Sequence, residues 1–196
     1  MKSRLTGVFE GELPHFNEED YAKFRHLCYP KGAMLYAEKK RFLIVLSGEG
    51  KLNTYHESGR EYVLSYFRKG SFVLIDTFSS FEITQNAELL EANLSTVIDL
   101  FEFNQEFAIY LFNSFLKNVT MHKNVIKELV FDSVETRTYK FLQQIADDDI
   151  AHVKGGVSEI SAFVGAPRQN VSVAISRLIK SGKIEKLGNQ KFKICK

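Results

Sequence analysis

Toward the C-terminus, Arg168, Gln169, Asn170 and Ser172 fall within little more than one helical turn. An apolar series of Val171, Ile175, Leu178 and Ile179 recurs behind them, and seven further Lys or Arg follow up to Lys196. In the major groove of duplex DNA, Arg bridges the acceptors of guanine and Gln or Asn reads the edge of adenine, while Lys side chains and helix N-termini hold phosphates. The residues predicted to make such contacts are Arg168, Gln169, Asn170, Ser172, Val173, Arg177, Lys180 and, beyond the helix, Lys191.

Charge is distributed accordingly. The net charge is +2, yet from Gly155 onward eight Lys or Arg face only Glu159 and Glu185, a net of +6. The preceding 154 residues carry 18 basic against 22 acidic side chains, a net of −4. A basic segment on a mildly acidic chain is the asymmetry expected when one part approaches a polyanion.

Other chemistries lack their residues. A metal site on neighbouring β-strands needs two or three His with a carboxylate, and His56 is the only His between Lys31 and Leu100. No Ser or Cys nucleophile with a recognisable base and no Gly-rich phosphate loop stands out, so the chain is not expected to be an enzyme. Cys28 and Cys195 lie in separate regions without C-x-x-C spacing and read as two reduced thiols. The N-terminal MKSRLTGVFEGELPHF lacks the apolar core of a signal peptide, and no run approaches the roughly 18 apolar residues of a membrane span. A cytoplasmic protein without membrane contact is expected.

The elements that must position the C-terminal cluster follow from periodicity. With 196 residues, 44% hydrophobic content and 17 Phe, the chain can bury a sizeable core. From about Lys31 to Leu100, FLIVLS, KLNTYH and EYVLSYF read as short strands between turn signals at Lys31-Gly32, Gly48-Glu49-Gly50, Ser58-Gly59 and Lys69-Gly70. They predict antiparallel strands closing into a small barrel or roll. From Phe103 to Val130, apolar residues recur at spacings of three and four: Ile109, Phe112, Leu116, Val119, Ile126 and Val130, with Lys123 the single polar member. This a/d seam, on a helix of roughly 25 residues or about 37 Å, is too long for one small barrel to cover and predicts a homodimer.

Asp132-Ser133-Val134-Glu135 reads as a stop and restart, with Asp132 as N-cap and Glu135 closing a capping box: a hinge candidate. TRTYKFLQQIADD reads as a short amphipathic helix, and Asp147-Asp148-Asp149 as the start of a loop ending at Gly155-Gly156. Ser158–Val164 forms a brief helix stopped at Gly165, and Pro167 suits the first turn of the next. The pair is a helix-turn-helix, and KIEKLGNQKFKI is a basic hairpin beside it, a wing. The expected architecture is α+β: residues 1–102 a β-roll sensor domain, 103–131 a dimerisation helix and 132–196 a winged helix-turn-helix.

From Lys31 to the C-terminus the chain resembles the Crp/Fnr superfamily of bacterial transcription regulators. KGAMLYAEKKRFLIVLSGEGKLNTYHESGREYVLSYFRKGSF is similar to the family's cupin-like β-roll, LVFDSVETRTYKFL to the junction of dimer helix and DNA-binding domain, and GAPRQNVSVAISRLIKSGKI to its recognition helix-turn-helix. The resemblance implies a homodimer on double-stranded DNA with RNA polymerase as protein partner. It also implies an effector between roll and dimer helix whose binding rotates the recognition helices to a spacing of about 34 Å.

Departures from the family pattern narrow the effector. Where cyclic-AMP-binding members carry a Gly-Glu and an Arg-Ser pair, this chain has Leu74-Ile75 and Gln85-Asn86. Where their helix offers hydroxyls to the base, it has His122-Lys123. A buried phosphate without Arg is an unpaired anion, which argues against a cyclic nucleotide. Two Cys cannot complete the four-cysteine iron–sulfur cluster of oxygen-sensing members. The apolar SFVLIDTFSSFEIT, with Phe72 at its start, admits a small hydrophobic ligand or haem. For haem His122 is the candidate ligand, a solvent-facing or core-satisfied imidazole being the alternative. Redox sensing by Cys28 and control by abundance alone stay open. On the recognition helix, Gln169 and Val173 replace the family's Glu and second Arg, which implies an operator richer in A·T.

Overall fold

The computed structural model describes residues 7–57, 59 and 61–195. It contains two compact units, one built on Gly7–Met121 and the other on the residues from His122 onward. The architecture is mixed α+β, with an N-terminal β-roll and C-terminal helices.

In the first unit, the sheet order is β1 (Gly7–Phe9), β5 (Glu61–Arg68), β4 (Arg41–Tyr55), β7 (Ser79–Ala92) and β2 (Arg25–Tyr29). Two short strands attach to it: β3 (Met34–Leu35) to β7, and β6 (Phe72–Ile75) to β4. Pairing is antiparallel except for β1, which runs parallel to β5. Alternate residues of β5, namely Val63, Ser65 and Phe67, turn inward. Leu43, Val45, Phe67, Ile75, Phe81, Ile83 and Leu89 form one apolar cluster, and Phe42, Ile44, Phe72, Leu90, Leu100 and Phe107 another.

The roll corrects one expectation. FLIVLS and KLNTYH are a single 15-residue strand, because Gly48-Glu49-Gly50 is an irregular stretch of β4 and not a turn. Gly48 takes a left-handed φ of 82°, and a side chain there would run into the Asn86 carbonyl. At Gly50 the Phe81 ring lies where a side chain would start, so the strand can curl and still keep its pairing. Lys31-Gly32 and Lys69-Gly70 are turns as expected. Ser58, of the third turn signal, lies outside the described residues, as does Lys196.

Before the roll proper, α1 (Glu18–Ala22) is capped by Asn17, whose side chain accepts from the Asp20 amide. Residues 94–103, expected partly within the β region, form α2 (Leu94–Phe103), capped by Asn93 accepting from the Thr96 amide. Asn104 then caps the helix that follows, α3 (Gln105–Phe131), by accepting from the Phe107 amide at 2.9 Å. Among the described residues no helix is long and apolar enough to cross a membrane.

In the second unit, α4 (Val134–Ile145) is followed by β8 (Ala146–Asp147) and β9 (Ile150–His152), then α5 (Gly156–Val164), α6 (Arg168–Lys180), β10 (Ile184–Lys186) and β11 (Lys191–Ile194). The loop expected from Asp147 onward is a hairpin: Asp148 and Asp149 have φ of 47° and 64°, the paired left-handed conformation of a tight turn between strands. β9 also pairs with β11, so the wing belongs to a four-stranded sheet. Phe141 of α4 stacks on Phe163 of α5 at 4.8 Å, over a core that includes Leu142, Ile160, Val171, Ile175, Leu178 and Phe192.

Candidate nucleic-acid interface

The candidate interface is built from the turn upward. Gly165 ends α5 in the left-handed conformation, and the Ser161 hydroxyl donates to the Ala166 carbonyl at 2.6 Å, fixing the turn. Pro167 then opens the 13-residue α6. Pro167 stands at its N-cap and makes no side-chain cap bond.

Helical periodicity sorts the rest. Val171, Ala174, Ile175 and Leu178 are buried, while Arg168, Gln169, Asn170, Ser172, Val173, Ser176, Arg177 and Lys180 are exposed. Ile179, expected in the buried stripe, is exposed, because the inward face is completed by Ala174 instead. All seven candidate residues on this helix therefore stand on its solvent side. Lys191, at the start of β11, is exposed too, and Lys186 and Lys193 flank it across the β10–β11 pair. Ser176 joins this exposed set, and only its period with Ser172 and Val173 signals it in the sequence. Lys183 lies over the Tyr139 ring at 5.9 Å.

The α3–α4 junction also differs from expectation. The N-cap of α4 is Ser133, whose hydroxyl accepts from the Thr136 amide at 3.1 Å; Glu135 closes no capping box. Asp132 instead pairs with Lys140 at 2.6 Å, and that bond raises the Lys140 ammonium above its ordinary pKa. Arg137 is buried, and its guanidinium donates to the carbonyls of Asp132 (2.7 Å), Leu129 (3.4 Å) and Val164 (2.9 Å). One side chain thus holds the carbonyl ends of α3 and α5, where the helix dipoles favour a cation.

Solved structures match along most of the chain. CLP of Xanthomonas campestris, described as a c-di-GMP responsive global regulator, is 17% identical with a TM-score of 0.73, covering 91% of this chain and 98% of that one. A protein of Eubacterium rectale described as a transcriptional regulator of the crp/fnr family is 15% identical with a TM-score of 0.73, covering 92% and 91%. A CooA mutant from Carboxydothermus hydrogenoformans is 21% identical with a TM-score of 0.67, covering 90% and 86%. The chain has the Crp/Fnr fold. No family model and no curated protein sequence matches it.

Within that Crp/Fnr fold, the candidate effector residues do not gather in one place in the first unit. Phe72 and Ile75 are core residues, 4% and 0% exposed, in different apolar clusters, and Leu74 between them is half-buried. β6 pairs with residues 41–44 of β4, whereas Gln85 of β7 lies opposite Glu49, farther along. Gln85 and Asn86 are exposed, and the Asn86 side chain accepts from the Lys31 amide at 2.9 Å. Cys28 is exposed in a shallow hollow with Tyr29, Pro30, Ser47, Asn86 and Glu88. In the second unit, His122 and Lys123 face solvent on α3, and partial desolvation lowers the His122 imidazole below its ordinary pKa. Among the described residues no cluster of three or more His, Cys, Asp or Glu could hold a metal ion.

Proposed function

We propose that this chain is a homodimeric, sequence-specific DNA-binding transcription regulator whose β-roll senses an effector or redox signal other than cyclic AMP. The observation that carries the reading is the exposed face of α6, with Arg168, Gln169, Asn170, Ser172, Val173, Arg177 and Lys180 outward on a helix whose opposite face is buried. At about 20 Å long, such a helix fits the major groove, and the basic wing beside it suits the phosphates. Arg168 has the fork geometry to bridge guanine or a phosphate, and Lys180 and Lys191 act as phosphate contacts.

Dimerisation is supported by Ile109, Phe112, Leu116, Val119, Ile126 and Val130 of α3, each between 50% and 66% exposed in the single chain. Monomers rarely leave such a series uncovered. Cyclic AMP is disfavoured by Leu74, Ile75, Gln85 and Asn86, none of which carries a positive charge for a phosphate. RNA polymerase is the proposed partner for output.

The test is retention of genomic DNA fragments by the purified, ligand-free protein at moderate salt, followed by sequencing. A palindromic motif supports a dimer competent without ligand. Weak, salt-sensitive binding to all fragments means that an activating ligand is missing, and no DNA binding at any salt overturns the reading. On the recovered motif, affinity should fall steeply with ionic strength, by about 0.9 logarithmic units per tenfold salt for each phosphate neutralised, and Lys191→Ala should lower that slope by about one.

A further inference from the structure

Resting on the DNA-binding reading, we propose that Val173 selects thymine through its C5 methyl group, in register with an adenine read by Gln169. Gln169, Ser172, Val173, Ser176, Arg177 and Lys180 wall one shallow hollow along the exposed face of α6. The middle of that face looks polar in sequence and is not polar in space. The Ser172 hydroxyl donates to the Arg168 carbonyl and the Ser176 hydroxyl to the Ser172 carbonyl, both at 3.0 Å. Each serine closes a bond to its own helix, as mid-helix Ser commonly does. What they leave outward beside the Val173 isopropyl group, which is 47% exposed, are methylene carbons.

An apolar seat between an amide at one end and two cations at the other has a natural complement in the major groove. Thymine is the base that presents a methyl group there, whereas cytosine, guanine and adenine present only polar atoms or a bare ring edge. Gln169 stands one helical turn before Val173, with Cβ atoms about 6 Å apart. That separation matches one to two base pairs at a rise of about 3.4 Å. The amide can then pair with the N6 and N7 edge of adenine while Val173 covers the methyl of a thymine in the same or a neighbouring pair. Arg177 and Lys180, one and two turns farther along, fall toward the phosphates.

The experiment uses the full-length protein and the motif recovered by fragment selection, resynthesised with uracil in place of thymine at one position at a time. This removes a single methyl group and leaves base pairing intact. At one thymine per half-site the wild-type protein should bind the uracil duplex about fourfold more weakly, and about fifteenfold when both half-sites are changed. V173A, an exposed truncation that leaves the buried face untouched, should bind thymine and uracil duplexes equally at that position. Equal wild-type affinity for thymine and uracil at every position would overturn the proposal, as would methyl sensitivity that persists in V173A. Absence of DNA binding at any salt would instead remove the regulator reading itself and this assignment with it.

Discussion

Gln169 presents an amide at the leading end of the exposed face of α6, and the chemistry of that one group sets what it can pair with. An amide offers a donor and an acceptor and matches adenine; a carboxylate only accepts, matches the N4 amino group of cytosine, and is repelled by phosphates. Gln169→Glu should therefore move the preferred pair at one operator position from A·T to C·G, by about 1–3 kcal/mol, while lowering affinity for all sequences. Competition between operators differing at that position measures both effects; an unchanged preference would show that Gln169 does not face the bases. The exposed set on α6 was legible from its 3.6-residue period, since the apolar positions fix which side is inward. The inward turn of the Ser172 and Ser176 hydroxyls was not, because a serine rotamer follows the nearby carbonyls and not the residue order. Nor was the separation of the effector candidates in the roll: β6 pairs with residues 41–44 of β4 while Gln85 lies opposite Glu49, and that pairing depends on partner and register, which residue order does not state.

The helix-turn-helix and wing were legible because Gly165, Pro167 and the Gly188-Asn189 pair punctuate them. α2 was not, since Thr96, Val97 and Ile98 are β-branched and read as strand; the cap by Asn93 and burial of Val97 and Leu100 override that propensity. The junction was legible as a stop and restart but not in its wiring. Arg137 could be read as one more surface charge of an amphipathic helix, yet it is the donor for the last carbonyls of α3 and for Val164 at the end of α5. Arg137→Met would keep most of the packing and leave those carbonyls without their donor, so unfolding free energy should fall by about 3 kcal/mol. Arg137→Lys should recover less than half, because a single ammonium cannot serve two helix ends. Denaturant titration of the full chain measures both; a loss under about 1 kcal/mol for the Met variant would mean that water replaces the guanidinium.

In the whole molecule, α3 carries a series of outward residues that follows a strict alternation of three and four. Ile109, Phe112, Leu116, Val119, Ile126 and Val130 are all exposed, and Lys123 interrupts them once. In a two-stranded seam a single polar position lowers stability and fixes alignment, and here it would bring two ammonium groups toward each other. Two substitutions in the same seam should therefore act in opposite directions. Leu116→Glu places a carboxylate where its copy would lie, and sedimentation should show a monomer at concentrations where the wild type is a dimer. Lys123→Leu removes the repulsion and should lower the dimer dissociation constant by tenfold or more, at the risk of other alignments. Each change carries through to DNA: the monomeric variant should bind a palindrome no better than an isolated half-site, since the second contact is no longer held at high effective concentration. If Leu116→Glu stayed dimeric and bound palindromes normally, the apolar series of α3 would not be the seam.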